Sequence, residues 1–293
     1  MKAIIFGANG QDGYYLGLLL KESGIEVHET SRTAGRYIGD VADYSFVSSL
    51  IKTIQPSYIF SFAANSTTNH SALFENHQTI STGTWNILES VRLYCNDCKV
   101  FLSGSAMQFQ NTGKPINEST SFEASSPYSV ARIQSTYAAR YYKDKFSMHV
   151  YVGYFFNHDS PLRSDRHINQ KIVSAVKRIV RGSSEKIEIG DLSVRKEFAF
   201  AKDIVEGVWV LVNQEQVHEA VIGVGVDHSI QDWIEICFKT FGLNWRDHVV
   251  QNVSFKPEYK RLVSDPSLIR SLGWNSETDI FKLADLMIRY STI

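Results

Sequence analysis

The opening stretch MKAIIFGANGQDGYYLGLLLKE runs from a short apolar segment, Ala3 to Gly7, through glycines at 7, 10 and 13 into a helical pattern from Asp12 to Glu22. Glycines let a chain turn sharply and approach a ligand closely. The free N–H groups at the start of the next helix favour an anion. The G-x-x-G-x-x-G spacing carries little weight alone. Its place at the first strand–helix junction makes it a dinucleotide cradle, with Gly7, Asn9, Gly10, Gln11, Asp12 and Gly13 as the candidate contacts.

The same strand–helix alternation continues through the first half, which predicts an α/β fold: a Rossmann-type, doubly wound parallel sheet. IEVHETSR supplies the second strand, and YIFSFAA (58–64) is an apolar run suited to a strand buried on both faces. From Thr79 to Tyr94, Ile80, Thr84, Ile87, Leu88 and Val91 recur at helical spacing. KVFLSGS and HVYVGYFFN read as two further strands on either side of a helix that follows Pro127. Beyond about residue 160 the alternation loosens. DSPLRSDRHINQ reads as a loop, a helix follows from Lys171, and KIEIG, AVIGVG and HSIQDWIEICFKTFG suggest two strands and a helix that partly rejoin the first sheet. The expected division is a dinucleotide-binding domain over 1–160 and a smaller interleaved substrate lobe over 161–293.

The balance of 30 basic and 31 acidic residues leaves no basic stripe to neutralise a phosphate backbone, so a nucleic-acid partner is not expected. The apolar start is too short for a signal peptide or a membrane span, which predicts a cytoplasmic protein without a membrane partner. The C-x-x-C of YCNDCK (Cys95 and Cys98) admits a redox or zinc reading. No second ligand pair stands at metal spacing and no thioredoxin-like context surrounds it, so two reduced thiols and no metal are expected.

After the second strand, where an acidic residue would hold the adenosine ribose of NAD(H), the chain reads HETSRT. Ser31 and Arg32 suit a 2′-phosphate, which points to NADP(H). Glu29 is the competing candidate, and at the strand end it would make NAD(H) the cofactor. In SSPYSVARIQ, Tyr128 and Arg132 stand four apart and share a helix face, so the cation can stabilise a tyrosinate. Ser105 stands at the end of KVFLSGS, a loop hydroxyl whose role in such chemistry comes only from family resemblance. A nicotinamide, a tyrosine and a serine are the parts that hydride transfer at a carbinol carbon requires.

With GDVAD (39–43), FAAN (62–65), SGSAMQF and Tyr128-x-x-x-Arg132 added to the glycine loop, the chain resembles the extended short-chain dehydrogenase/reductases. GQDGYYL, YFFNHDSPLR, FAFAKDIVEGVWVL and IGVGVDHSIQDW narrow the resemblance to the GDP-mannose 4,6-dehydratase group and its reductase relatives, over nearly the whole length. It implies that Asp40 and Val41 contact adenine and that Phe62, Ala63 and Ala64 line the cofactor cleft. It also implies that Asn157, Lys171, Lys196, Lys256 and Glu258 face the nucleotide sugar. Arg163, Arg166 and Arg195 either grip phosphates bidentately or are surface charges, with binding favoured for Arg195, whereas His158 reads as a structural hydrogen-bonder. Relatives of this kind pair as homodimers or tetramers.

Two departures stand out. The group's Tyr-x-x-x-Lys is here Tyr-x-x-x-Arg, and the acid that its dehydratases carry two residues after the Ser105 position is here Met107. A thioether moves no protons, and only the adjacent Gln108 or a group from elsewhere would replace it. The sequence expectation is therefore an NADP(H)-dependent reductase of a GDP-linked 4-keto-6-deoxy sugar. GDP-mannose 4,6-dehydratase and an epimerase are the enzymatic alternatives, and a catalytically silent sugar-nucleotide-binding relative is the alternative of another class.

Overall fold

The structure, a computed structural model, describes residues 1–291, so the last two residues of the expected 161–293 lobe lie outside the described part. Seven strands form the central sheet: β1 (Lys2–Phe6), β2 (Glu26–Ser31), β3 (Tyr37–Ile38), β4 (Tyr58–Ser61), β5 (Lys99–Ser105), β6 (Val150–Phe155) and β7 (Glu219–Ile222). Their spatial order is β3-β2-β1-β4-β5-β6-β7, and every neighbouring pair is parallel. The order reverses between β1 and β4, and in such sheets a crevice opens there at the carboxyl ends of the strands. β6 is buried along all six residues, as its continuous apolar sequence requires when helices cover both faces.

Helices α1 (Gln11–Glu22) and α6 (Ala201–Val212) pack together on one face of the sheet. On the other face lie α2 (Tyr44–Ile54), α3 (Gly83–Tyr94) and α4 (Pro127–Phe146). Each face has its own apolar core. One gathers Ile5, Phe60, Phe101, Tyr151 and Val208, the other Ile4, Ile59, Val91, Leu102 and Tyr142, as the alternation of side chains along a strand dictates. A third core joins α5 (Ile168–Val180), α7 (Ile230–Lys239) and α8 (Ile280–Tyr290) around Trp233 and Phe238.

The start of α4 is fixed locally. Ser126 caps it by accepting from the Ser129 N–H at 3.1 Å, Ser129 answers by accepting from the Ser126 N–H at 2.8 Å, and Pro127 occupies the first turn. Its inward face then carries Tyr128, Ala131, Arg132, Ser135 and Thr136 at helical spacing.

Three expectations differ in detail. The helix expected from Thr79 begins earlier, because a short helix at Leu73–Asn76 and a π-helical turn at His77–Thr82 lead into α3. The helix expected from Lys171 begins at Ile168, and its polar Asn169 and Gln170 are buried, which masked that turn as loop. Of the two late strands, AVIGVG supplies β7 in the main sheet. KIEIG instead forms Ile187–Ile189, which pairs with Val249–Gln251 in a separate two-stranded sheet.

Candidate active site

A cavity of about 580 Å³ opens at the carboxyl ends of β1, β4, β5 and β6. The loop after β1 forms one wall. Gly7 has φ +84°, and a Cβ there would meet the Ala63 nitrogen at 2.8 Å; a Cβ on Gly13 would meet the Gly7 carbonyl oxygen at 2.5 Å. Only glycine lets the loop lie against β4 and the helix rise directly beneath it. The Gly7 and Ala8 N–H groups are spent on the Thr30 carbonyl, which leaves the first turn of α1 facing the cavity through Gly10, Gln11 and Asp12.

Ser105 ends β5 and caps a short 3₁₀ turn, its hydroxyl accepting from the Met107 N–H at 3.2 Å, so its own proton is free to donate into the cavity. The Gln108 side chain is turned away and fully buried. Its carbonyl accepts from the Ser105 N–H at 2.9 Å and its amide donates to Thr136 at 3.0 Å. It does not reach the cavity, which removes it as a stand-in for the missing acid; Met107 does line the wall.

Tyr128 and Arg132 both face the cavity. Arg132 Nε donates to the Tyr128 hydroxyl at 3.2 Å, and the guanidinium carbon lies 5.2 Å from the ring centroid. Arg132 Nη1 donates to the carbonyl oxygen of Ser103 and, at 3.0 Å, to its hydroxyl; that hydroxyl donates to the Ser61 carbonyl at 2.9 Å. The guanidinium is thus buried, with Nε and Nη1 hydrogen-bonded, which offsets part of the cost of desolvating its charge. Sequence reasoning missed Ser103, although it stands two residues before Ser105 on one strand and must share its face.

Beside them a hydrogen-bonded pair, His158 buried and Asp12 partly so, ties the glycine loop to the segment after β6. His158 Nε2 meets Asp12 Oδ1 at 2.9 Å and Nδ1 meets the Phe156 carbonyl at 2.7 Å. Burial opposes charge on both. Asp12 and its hydrogen bond nevertheless raise His158, and His158, Arg163 and Arg132 lower Asp12. With both ring nitrogens occupied, His158 orients the loop and has no free atom for proton transfer, in line with its reading as a structural residue. The two partners stand 146 positions apart, and no local motif announces the pair.

A second cleft of about 230 Å³ continues from the first and shares Gly10, Phe62 and Ala64 with it. Gly7, Ser31, Arg32, Asp40, Val41 and Ala63 line it. Glu29 does not face this cleft; it lies on the α1 side, paired with Lys21 at 2.6 Å. Ser31 accepts from Asn9 at 2.8 Å and from the Ala34 N–H at 3.1 Å, and Arg32 meets Glu75 at 3.2 Å.

A third cavity, about 660 Å³, adjoins the main one through Arg166, Glu258 and Tyr259 and holds Lys171, Lys196 and Lys256. Lys196 is buried, and desolvation lowers its pKa despite nearby Asp159. Lys171 donates to the Glu188 carbonyl at 3.0 Å. Asn157 accepts from the Tyr259 hydroxyl at 3.4 Å on the wall of the main cavity. Glu258 accepts from Thr68 across the mouth. Arg163 and Arg166 line the main cavity, whereas Arg195 is spent on Asp227, at 2.6 Å, and lines none of the three spaces. His167, which the sequence reading passed over, lines the main cavity among these cations; burial first, then Arg163, pushes its pKa down to about 4.

Three connected spaces therefore run in line: a glycine-floored cleft, a central chamber holding a tyrosine, a cation and a serine, and a lysine-lined end. The two outer spaces suit anionic, nucleotide-like groups, and the chamber between them suits a carbinol.

The sequence model of the GDP-mannose 4,6 dehydratase family matches residues 4–287. GDP-mannose 4,6 dehydratase 1 of Arabidopsis thaliana is 28% identical over 318 aligned residues, covering 98% of this chain and 88% of that protein. Among solved structures, dTDP-glucose 4,6-dehydratase from Bacillus anthracis in complex with NAD superposes with a TM-score of 0.87 at 15% identity, covering 99% and 96% of the two chains. RMD from Pseudomonas aeruginosa, complexed with NADPH, does so at 0.86 and 17%, covering 98% and 97%. With a match that spans both the glycine loop and the lysine-lined lobe, the chain belongs to the GDP-mannose 4,6-dehydratase family.

Proposed function

We propose that the protein is a nicotinamide-dependent oxidoreductase of a GDP-linked hexose that begins, as a GDP-mannose 4,6-dehydratase does, with oxidation at C4 of GDP-mannose. The observation that carries this reading is the family match over 4–287 together with Tyr128, Arg132 and Ser105 in one chamber. The comparisons favour this dehydratase-type reading over the reductase expected from the sequence.

The cofactor contributes hydride acceptance and return. The chain's own part is to orient and to move protons. Ser105 donates to the C4 oxygen, Tyr128 takes the C4 hydroxyl proton as the hydride leaves, and Arg132 stands beside the oxygen on which charge develops. The close glycine loop and the free first turn of α1 fit a pyrophosphate. Ser31 and Arg32 support NADP(H), and the relatives solved with NAD and with NADPH leave both in use across the fold. Lys196, Lys256, Arg163 and Arg166 would hold the sugar's diphosphate and Asn157 the sugar, with the lobe beyond about residue 160 as its platform.

One observation favours a second reading. Elimination of water from C5 and C6 needs a group that moves protons, and Met107 faces the chamber where the family's dehydratases carry an acid. Reduction at C4 needs no such group. Pairing into a homodimer or tetramer is supported by Trp85, Val130, Tyr137 and Tyr141, which are exposed on α3 and α4.

The test supplies purified protein with GDP-mannose and catalytic NADP⁺, and separately with GDP-4-keto-6-deoxymannose and NADPH. The proposed reading expects a product lighter by one water in the first mixture without net cofactor use. NADPH consumption in the second mixture alone establishes the reductase. No turnover in either overturns an enzymatic role on these substrates.

A further inference from the structure

Helix α3 ends at Tyr94 and β5 begins at Lys99. The four residues between them, Cys95-Asn96-Asp97-Cys98, make a turn in which the Cys98 N–H donates to the Cys95 carbonyl at 2.8 Å. A hydrogen-bonded turn of this length holds its outer Cα atoms within about 7 Å, and a disulfide spans about 4.4–6.8 Å. The Cys98 thiol donates to the Lys99 carbonyl at 3.7 Å, and each sulfur bears on the other's ionisation, so the two side chains lie side by side. The backbone thus already approaches a geometry that a bond between the sulfurs requires.

The two thiols differ in access. Cys98 is 2% exposed, while Cys95 is partly exposed in an open groove with Gln55, Tyr58, Tyr94 and Lys99. The neighbouring Cys98 side chain lowers the Cys95 pKa, and burial pushes Cys98 up, so Cys95 is the thiol that ionises first. Lys99 stands over the Tyr58 ring and Lys52 over the Tyr94 ring, which places ammonium groups beside the groove, with Asp97 as the opposing charge in the turn. A zinc site is disfavoured, because it takes four ligands and no group of three or more His, Cys, Asp or Glu gathers among the described residues.

We propose that Cys95 and Cys98 form a redox modification site, which a low-molecular-weight disulfide of the glutathione type converts reversibly into an intramolecular disulfide. Cys95 thiolate attacks one sulfur of the small disulfide, forming a mixed disulfide and expelling one thiol. Cys98, losing its proton to solvent, then attacks the Cys95 sulfur and expels the second thiol. The protein loses two protons and two electrons, and the small disulfide takes them up as two thiols. The inference is independent of the proposed activity. Seven residues of β5, roughly 20 Å at about 3.3 Å each, separate the turn from the chamber at Ser105.

The test incubates the reduced full chain with oxidised glutathione at graded ratios to the thiol form, then denatures and alkylates it for intact-mass and peptide analysis. The expected result is a chain lighter by two hydrogens, with Cys95 and Cys98 joined and Cys237 alkylated. Cys98→Ser, or Cys98→Ala should the buried serine disturb folding, traps one glutathione on Cys95; Cys95→Ser traps none. Addition of reduced glutathione restores both thiols. The proposal is overturned by alkylation of both thiols at every ratio, by a stable glutathione adduct on the unmodified sequence, or by a cross-link that involves Cys237.

Discussion

Arg132 Nε donates to the Tyr128 hydroxyl at 3.2 Å while Nη1 of the same guanidinium is held by Ser103. A lysine at this position is a point charge on a flexible stem and cannot reproduce that fork, so the replacement of lysine by arginine is tied to Ser103. Tyr128→Phe removes the proton acceptor and is expected to lower kcat by about 10²- to 10⁴-fold with cofactor affinity little changed. Ser103→Ala leaves the phenol in place but frees the guanidinium. It is expected to lower kcat with KM little changed, a split that a general loss of stability does not produce, and Ser103→Thr restores it. An unchanged kcat in Ser103→Ala removes Ser103 from the mechanism.

Met107 makes a sharper demand on the site. Its backbone is fixed by Ser105, its side chain faces the chamber, and Gln108 beside it is locked to Ser105 and Thr136. Met107→Glu is expected to raise the rate of water loss from GDP-mannose by at least ~10²-fold if proton transfer limits elimination. The mass of the sugar product read over time gives that rate directly. An unchanged rate in a variant with unaltered melting temperature shows that another group already performs the step.

The fold was legible because its signals are local and repeated. The glycine loop, the apolar run of β6 and the serine–proline start of α4 each carry their cause in a few adjacent residues. Tyr128 and Arg132 stand out by their spacing on a helix, and Ser105 by the resemblance of its strand end to the family's. What stayed hidden depends on contacts between distant segments. The Asp12–His158 pair closes over 146 positions, and Glu75 reaches Arg32 over 43. The polar start of α5 read as loop because burial of Asn169 and Gln170 is decided by tertiary packing and not by their own preferences.

On the proposed NADP(H) reading, the Arg32 that would hold the 2′-phosphate is shared with Glu75, a carboxylate that local sequence does not place near the cleft. Glu75 accepts from Asn65 at 2.7 Å and from Arg32 at 3.2 Å, and the Asn65 bond first, then Arg32, holds its pKa below the ordinary carboxylate range. A 2′-phosphate must compete with Glu75 for Arg32. Both side chains are largely exposed, so the competition is worth only about 0.2–1 kcal/mol, a change of roughly two- to five-fold. Glu75→Gln is expected to tighten NADPH by that factor and leave NADH unchanged, and Arg32→Ala to weaken NADPH alone. Fluorescence titration of both nucleotides reads the ratio, and equal shifts for both would rule out this competition.

His167 gives the chamber a pH dependence whose sign follows from its surroundings. Burial first, then Arg163, brings the imidazole from 6.5 down to about 4, so the folded chain binds this proton less well than the unfolded chain. The contribution of this group to stability is complete above 6.5 and drains as pH falls from 6.5 towards 4. Asp12 and His158 titrate on the same wall, so the effect is read as a difference. His167→Gln is expected to flatten the fall of melting temperature across that window relative to the parent chain. A diphosphate seated among Arg163, Arg166 and His167 offsets with its own charge the burial and cationic repulsion that keep the imidazole neutral. GDP binding within the same window is therefore expected to take up a proton, and calorimetry in buffers of different ionisation enthalpy measures it. His167→Gln should abolish that uptake while GDP still binds. Uptake that persists in the variant would assign the proton to another group, with His158, already raised by Asp12, the first to examine.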